Sequence, residues 1–461
     1  MRGDSDTFDS IMNDKLAEAV RTLDERILTN HRFDKKLFAE LDEAQRELGI
    51  LSGERPFCPF LRPAFFSRKI YEKITSAAEV LGGALEKMTL GALENEEIMR
   101  ELDLTEREER LARIDPRYKT VCNSSRFDAF AHGEDFKFLE YNGETPAGII
   151  DQMQIEKVME LIPEVREFLS EHKHRRPKPH VKLLAALVSD YRDFGGKKEK
   201  PNIAIVDWNG VSTYSEFVVL REFFQSEGHE SIIADPHELE FDGRVLRVGA
   251  FEIDIFYKRV VIQEFLEKFP EDNPLSNAYR AGKVCMLNSF RTKIPNKKAS
   301  FAVLSDKKYA YLFTAKERAA IEKHVPWTRR VRDAKTDFGG KEVDLLEKLR
   351  RERERFLLKP NDDYGGNGIV LGWERSAGEW ETALQNALAE SFVAQERVAV
   401  EKVMFPTYSD EAETKELLID FDPFLFGGKA EGGLVRLSSS SLVNVAQGGG
   451  ETALIVLENA F

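Results

Sequence analysis

The sequence predicts a mixed α/β protein built from more than one domain. Three observations carry that expectation. The chain has 461 residues, 42% of them hydrophobic and 32% charged, the balance of a globular protein with room for about three domains. Its first hundred residues repeat apolar positions at helical spacing. Beyond them, short apolar runs alternate with helical stretches and glycine-bearing turns, and the end of the chain is rich in strand patterns.

In chain order, residues 1–118 read as a helical region. Asp34 to Leu48 carries a stripe at Leu37, Phe38, Leu41, Ala44 and Leu48; Pro56, Pro59 and Pro63 break the chain; Arg68 to Met88 and Asn95 to Leu102 resume the pattern. Residues 119–180 hold a strand-like stretch, a helix from Asp151 to Glu171, and the basic connector His172 to His180. Its prolines and charges predict an extended linker rather than a histidine metal site. Residues 200–285 read as an α/β unit: strand Asn202–Trp208, helix Ser212–Glu227 capped by Ser212 or Thr213, strand Ser231–Ala234, a hairpin around Asp242-Gly243, and strand Ile253–Tyr257 ending at Lys258 and Arg259. No glycine fingerprint follows Trp208, so a dinucleotide site is not expected. Residues 290–350 read as mostly helical. In 351–461, helix Glu379–Ser391 and strand Phe392–Val398 precede candidate strands Leu417–Phe421, Gly433–Ser438 and Leu442–Ala446, with Gly448, Gly449 and Gly450 after them.

Composition narrows the function classes. A net charge of −14 argues against non-specific binding to nucleic acid or acidic membranes, and is compatible with a cationic substrate. No run of 18 apolar residues predicts a membrane span, and the acidic start is unlike a signal peptide. Cys58, Cys122 and Cys285 are too dispersed for a metal motif or a disulfide framework, which suits a reducing cytoplasm.

Two stretches carry chemistry. Between strands Glu354–Lys359 and Ile369–Trp373 lie Asn361, Asp362 and Asp363, then Gly365, Gly366, Asn367 and Gly368. Such a hairpin is either a plain surface turn, with Asn367-Gly368 supplying positive φ, or a glycine flap over phosphate with Lys359 adding charge. It is neither a Walker A loop nor a dinucleotide motif. In Ser125 to Asn142, Arg126 shares a strand face with Asp128, and Glu140 with Asn142. A hairpin centred on Glu134 sets Asp128 opposite Glu140 and Arg126 opposite Asn142. Facing carboxylates need a cation between them. Magnesium fits, with the Asn142 amide oxygen as a further ligand and Arg126 left to hold a phosphate or carboxylate. The alternative is a surface hairpin with an Arg–Asp pair, and a slip of one residue would separate the two acids.

Together, R-x-D followed by E-x-N, far upstream of a K-P hairpin with a glycine loop, resembles the circularly permuted ATP-grasp family, the group that includes the synthetase domain of glutathionylspermidine synthetase. The resemblance spans roughly residues 40–455. It implies a permuted ATP-grasp core formed by the 119–180, 290–350 and 351–461 segments, with the helical region and the 200–285 unit packed around it. It also implies ATP and Mg2+, with Asp128, Glu140 and Asn142 as metal ligands and Arg126 steadying the transferred phosphoryl group. Lys297, in N-K-K-A-S-F-A-V-L, resembles the first nucleotide lysine, with Lys298 as rival, and Lys359 the second. Gly365, Gly366, Asn367 and Gly368 match the phosphate flap. Gln395, Glu396, Arg397 and Val398 match the hinge at the adenine edge, and Arg436 and Asn444 match positions at the phosphate and metal end. The loop lacks the arginine and glutamate of the synthetase loop, and no amidase domain is present. The implied activity is ADP-forming ligation of a small-molecule carboxylate to an amine through an acyl phosphate, with Lys258 and Arg259 as candidate holders of a substrate carboxylate. The alternatives are a phosphotransferase on the same fold and a non-catalytic nucleotide-binding module.

Overall fold

The computed structural model describes residues 14–30, 33–132, 135–400, 402–440, 445 and 449–458. The N-terminal stripes form the helices expected of them. Asp34 caps Lys35–Leu48 by accepting from the backbone N–H of Lys36 and Leu37, and Gly49 ends it at φ +72°. Helix α1 (Arg68–Glu94) buries Ile70, Ile74, Ala78, Leu81, Leu85 and Met88 along one face. That face packs on the principal sheet.

Strands β1 (Ser124–His132) and β2 (Asp135–Asn142) follow, then helices α2 (Asp151–Met159) and Pro163–Glu171. The single helix expected over 151–171 is thus two, because Pro163 opens a new first turn. Helix α3 (Pro179–Asp193) was not anticipated. It starts on Pro179 directly after the basic connector and buries His180. Strands β3 (Ile203–Val206), β4 (Ser231–Ala234), β5 (Ile255–Lys258) and β6 (Cys285–Leu287) form a parallel sheet in the order β6-β5-β3-β4. Helix α4 (Tyr214–Ser226) connects β3 to β4, and α5 (Ile262–Lys268) follows β5. Thr213 precedes α4 without a side-chain cap bond.

The stretch expected to be helical over 290–350 contains strand β7 (Thr328–Arg330) and a small hairpin, Lys335–Phe338 with Lys341–Asp344. Gly339 and Gly340, both at positive φ, supply the turn that the helical reading passed over. Strand β7 joins β8 (Phe356–Pro360), β9 (Val370–Leu371) and β10 (Phe392–Glu396) in a sheet ordered β7-β10-β8-β9. The hairpin around the glycine loop is therefore present, with Leu357 opposite Leu371.

Strands β11 (Lys402–Tyr408), β12 (Ala412–Phe426), β13 (Lys429–Ser438) and β14 (Gly450–Thr452) complete the principal sheet, ordered β14-β13-β12-β1-β2. The first half of β12 pairs with β11 and the second half with β1. Sequence-distant halves of the chain thus share one sheet, and the β1–β2 hairpin lies at its edge. The strand expected over Leu442–Ala446 falls largely outside the described residues.

Candidate functional site

The β1–β2 register is the expected one: Asp128 faces Glu140 and Arg126 faces Asn142. A bulge between Asp128 and Ala129 sets it, since nearer the turn the pairing runs one residue out of step, with Ala129 opposite Phe138. Without the bulge, the carboxylates would not meet.

The hairpin forms one wall of a cleft of about 790 Å³. Strands β8 and β10 and the glycine loop line the opposite side, and the α/β unit contributes Trp208, Ser212, Thr213, Ser215, Glu216 and Arg259. The cleft gathers Arg126, Asp128, Glu140 and Asn142 with Lys359, Gly365 and Gly366, and with Gln395, Glu396, Val398 and Arg436. Leu139 ties its walls together: its carbonyl accepts from Lys359 Nζ at 3.3 Å and from Gln395 Nε2 at 3.1 Å.

Lys359 is 5% exposed, and burial brings its pKa down to about 8 although Glu140 pulls it upward. Its charge is thus poorly compensated by the protein alone. Gln395 is buried, not solvent-facing; Nε2 is satisfied, while Oε1 has no hydrogen-bond donor. A buried acceptor without a donor, bordered by apolar Leu357, Ile369, Leu371 and Val398, fits the amino edge of a planar base. Glu396 pairs with Arg355 at 2.9 Å, and its N–H donates to Trp327 O at 2.8 Å. Gly365 and Gly366 stand at φ +69° and +75°, a conformation that the loop could not take cheaply with other residues. Asn367 and Gly368 belong to the same turn but do not line the cleft, and Gly368 packs on Pro360.

Three placements differ from expectation. Lys297 is not in the cleft. It is 3% exposed and locked between Glu108 (3.0 Å) and Asp362 (2.6 Å), where Lys293 shares the same acids. Lys297 ends one short helix and Lys298 begins the next, so their side chains part. Lys298 is the one in the cleft, 3.7 Å from Glu140. Arg126 is not free: Nε donates to Asp128 Oδ1 at 3.0 Å and Nη1 to Ala147 O at 3.1 Å. Lys258 is 1% exposed and donates to Val260 O at 3.1 Å, away from the cleft lining that Arg259 joins. Asn444 lies outside the described residues.

Sequence reasoning missed Asp420 and Asp422, two of the acids around Arg436. Its guanidinium reaches Asp420 (2.6 Å), Asp422 (2.7 Å) and Asp128 (2.9 Å), all buried. Burial pushes Asp420 up to about 6 against the pull of Arg436, and raises Asp422 further. Burial also opposes the charge on Asp128, but Arg126 and Arg436 hold it down at about 2. The spacing D-F-D in β12, with Ile419 and Phe421 on the other face, was the available signal.

Asp128, Glu140 and Asn142 offer the hard oxygen donors that magnesium takes, in the number it takes when phosphates and water complete its shell. Among the described residues no three of His, Cys, Asp and Glu converge as a metal-binding group, so such an ion would depend on the nucleotide for the rest. Asn142 Nδ2 donates to Asp128 Oδ1 at 2.8 Å. Ligation by this amide therefore requires a turn of its oxygen into the cleft.

No family model matches the chain, and no curated protein matches it by sequence. Solved structures do. A glutathione synthetase-like effector from Globodera pallida is similar with a TM-score of 0.60 at 12% identity, over 91% of this chain and 96% of that one. A putative γ-glutamylcysteine synthetase from Methylobacillus flagellatus gives a TM-score of 0.40 at 12% identity over 82% and 88% of the two chains, a likeness too distant to carry weight. At such identity even the first likeness speaks of fold and not of activity. Over nearly its whole length the chain has a mixed α/β fold similar to that of this glutathione synthetase-like effector.

Proposed function

We propose that the protein is an ATP-dependent carboxylate–amine ligase of circularly permuted ATP-grasp order, forming ADP through an acyl phosphate. The observation that carries this is the convergence on Leu139. Lys359 and Gln395, from the sheet that bears the glycine loop, both bind the carbonyl next to Glu140, so nucleotide-type and metal-type residues share one cleft.

In this reading the base occupies the apolar slot against Gln395 Oε1, and the phosphates extend under Gly365 and Gly366 toward Lys359 and Lys298. Asp128, Glu140 and Asn142 would hold magnesium, which when bound offsets negative charge on the phosphates. The substrate carboxylate oxygen attacks the γ-phosphorus, the bond to the β–γ bridging oxygen breaks, and ADP departs with the electron pair. Arg126 and Arg436, fixed by their acid partners, add positive charge beside the transferring group without reorganisation. The amine nitrogen then bonds to the acyl carbon, and phosphate leaves. Permuted order is supported by β1–β2 completing a sheet whose other strands lie at the end of the chain.

The test is thermal stability with and without Mg-ATP, for the wild type and Glu140→Ala. Nucleotide at ~100 times its dissociation constant adds about 2.7 kcal/mol, on the order of several degrees in midpoint. A shift that weakens in Glu140→Ala is expected; no shift in the wild type would refute the nucleotide site. Product analysis then separates an amide from a stable phosphorylated product.

A further inference from the structure

The segment running from β2 into α2 passes along the cleft, and its backbone is held by side chains from elsewhere. Arg259 Nη1 donates to Pro146 O at 2.7 Å, Arg126 Nη1 donates to Ala147 O at 3.1 Å, and Glu216 Oε1 accepts from Ile149 N at 2.8 Å. These bonds fix Asp151, the first residue of α2, in the cleft lining. Gly148, at φ +88°, lets the chain approach: a Cβ there would stand 3.1 Å from Asp151 Oδ2.

The Asp151 carboxylate makes no hydrogen bond or ion pair among the described residues, although the cationic groups near it are already engaged. Arg126 is committed to Asp128 and Ala147. Arg259 is committed to Pro146 and the Tyr257 hydroxyl. Glu216 is 4% exposed, and its Oε2 has no hydrogen-bond donor, with Arg259 Nη2 at 3.5 Å. Glu451 is 3% exposed, lines the same cleft, and its side chain makes no hydrogen bond among the described residues. Around this end six carboxylates (Asp128, Asp151, Glu216, Asp420, Asp422, Glu451) face three guanidiniums (Arg126, Arg259, Arg436). Burial raises Asp151, Asp422 and Glu451, so these acids hold protons that an entering cation would let them release. No three of the acids converge as a metal-binding group among the described residues. An ammonium, with three N–H donors and no demand for a tight ligand shell, fits the spread better.

We propose that Asp151, backed by Glu216 and Glu451, receives the protonated amine of the acceptor, and that Asp151 takes the proton that frees the nitrogen to attack. This rests on the ligase function proposed above. The N–H bond breaks toward Asp151, the nitrogen lone pair forms the amide bond to the acyl carbon, and the acyl C–O bond breaks with its electrons leaving on phosphate. The second proton lost from nitrogen goes to that phosphate. Burial and the neighbouring Glu216 push Asp151 up to about 7 against the pull of Arg126, so it can exchange a proton near neutral pH. Glu451 is likewise raised by burial, with Asp151 contributing.

The experiment uses propylamine as probe and Mg-ADP as internal reference, with tetramethylammonium at equal concentration as the cation without N–H donors. Thermal midpoints are read for the wild type, Asp151→Asn and Glu451→Gln. Propylamine should raise the wild-type midpoint in the presence of Mg-ADP, and tetramethylammonium should not. Asp151→Asn should keep its Mg-ADP shift while its apparent amine affinity falls about tenfold or more; Glu451→Gln should weaken the amine shift less. In the wild type, amine affinity should rise several-fold from about pH 6 to about pH 8 as Asp151 ionises, while the probe stays protonated. A wild type that responds to Mg-ADP but not to propylamine, an amine shift retained by Asp151→Asn, or a flat pH response overturns the subsite and leaves the nucleotide site standing. Absence of the Mg-ADP shift in the wild type overturns the function itself, and the subsite with it.

Discussion

The hydroxyl of Tyr364, at the tip of the glycine loop, donates to Glu264 Oε1 at 2.8 Å, while Trp208 Nε1 donates to the other oxygen of the same carboxylate at 2.8 Å. Glu264 lies on α5, so one bond closes the loop over the cleft onto the α/β unit. Tyr364 is 59% exposed, so the bond contributes at the lower, solvent-screened end, about 0.5–1.5 kcal/mol. Tyr364→Phe should leave global stability nearly unchanged and speed nucleotide dissociation ~2- to 10-fold. Stopped-flow displacement of a fluorescent ATP analogue measures this; an unaltered dissociation rate would show that the bond does not hold the loop.

Lys297 and Lys298 separate stability from binding. Lys298→Ala should weaken Mg-ATP affinity with little change in unfolding midpoint, because its side chain reaches the cleft and Glu140. Lys297→Ala removes one of two lysines from the buried Glu108–Asp362 cluster. With Lys293 remaining, the cost should fall below the ~3–5 kcal/mol of a fully broken buried pair, yet exceed that of any surface change. Urea unfolding and calorimetric titration of both variants decide it. If Lys297→Ala lost affinity at unchanged stability, the original assignment would be restored.

That pair also shows where a sequence stops being legible. Alternation along strands is local, so the shared faces of Arg126 with Asp128 and Glu140 with Asn142 could be read directly. The bulge that brings the hairpin into register could not, and the correct pairing rested on a turn position that the structure reaches by another route. Choosing between adjacent lysines required knowing that a helix break falls between them, which no side-chain pattern announces. Asp420 and Asp422 obey the same alternation that exposed Asp128, but their partner Arg436 comes from one flanking strand and Asp128 from the other, which is distant in sequence, so the cluster exists only after the sheet assembles. Helix α3 was hidden because its first residues, Pro179 and His180, continue a basic proline-bearing run.

Arg436→Met should be among the most damaging single changes in the protein. It leaves Asp128, Asp420 and Asp422 buried, with Arg126 as the nearest remaining cation, and breaking such a network costs about 3–5 kcal/mol. The loss should depend on pH. Without the guanidinium, the folded-state pKa values of Asp420 and Asp422 rise further above their unfolded values, and Asp128 loses one of the two cations that hold it low. The folded chain then binds more protons than the unfolded one above the ordinary carboxylate range, so stability falls as pH rises. Urea unfolding at about pH 5.5 and about pH 7.5 should show the larger deficit at the higher pH. An equal deficit at both would mean that the acids are compensated by something other than Arg436.

Lys359 offers a proton count that reports directly on phosphate. Its folded pKa is lowered by burial from 10.5 to about 8, so between those values the folded chain binds fewer protons than the unfolded chain. Its contribution to stability therefore rises as pH rises from about 8 toward 10.5 in the free protein. A polyanion placed beside it favours the charged form and draws the pKa back up. Nucleotide binding above about pH 8 should then take up close to one proton, visible in calorimetry as a binding heat that changes with the ionisation enthalpy of the buffer. Lys258, also lowered to about 8 but away from the cleft lining, should not respond to nucleotide. In Lys359→Met the uptake should vanish and affinity fall by about tenfold or more, the weight of one charge-assisted contact. Uptake that survives the substitution would place the titrating group elsewhere and remove Lys359 from the phosphate site.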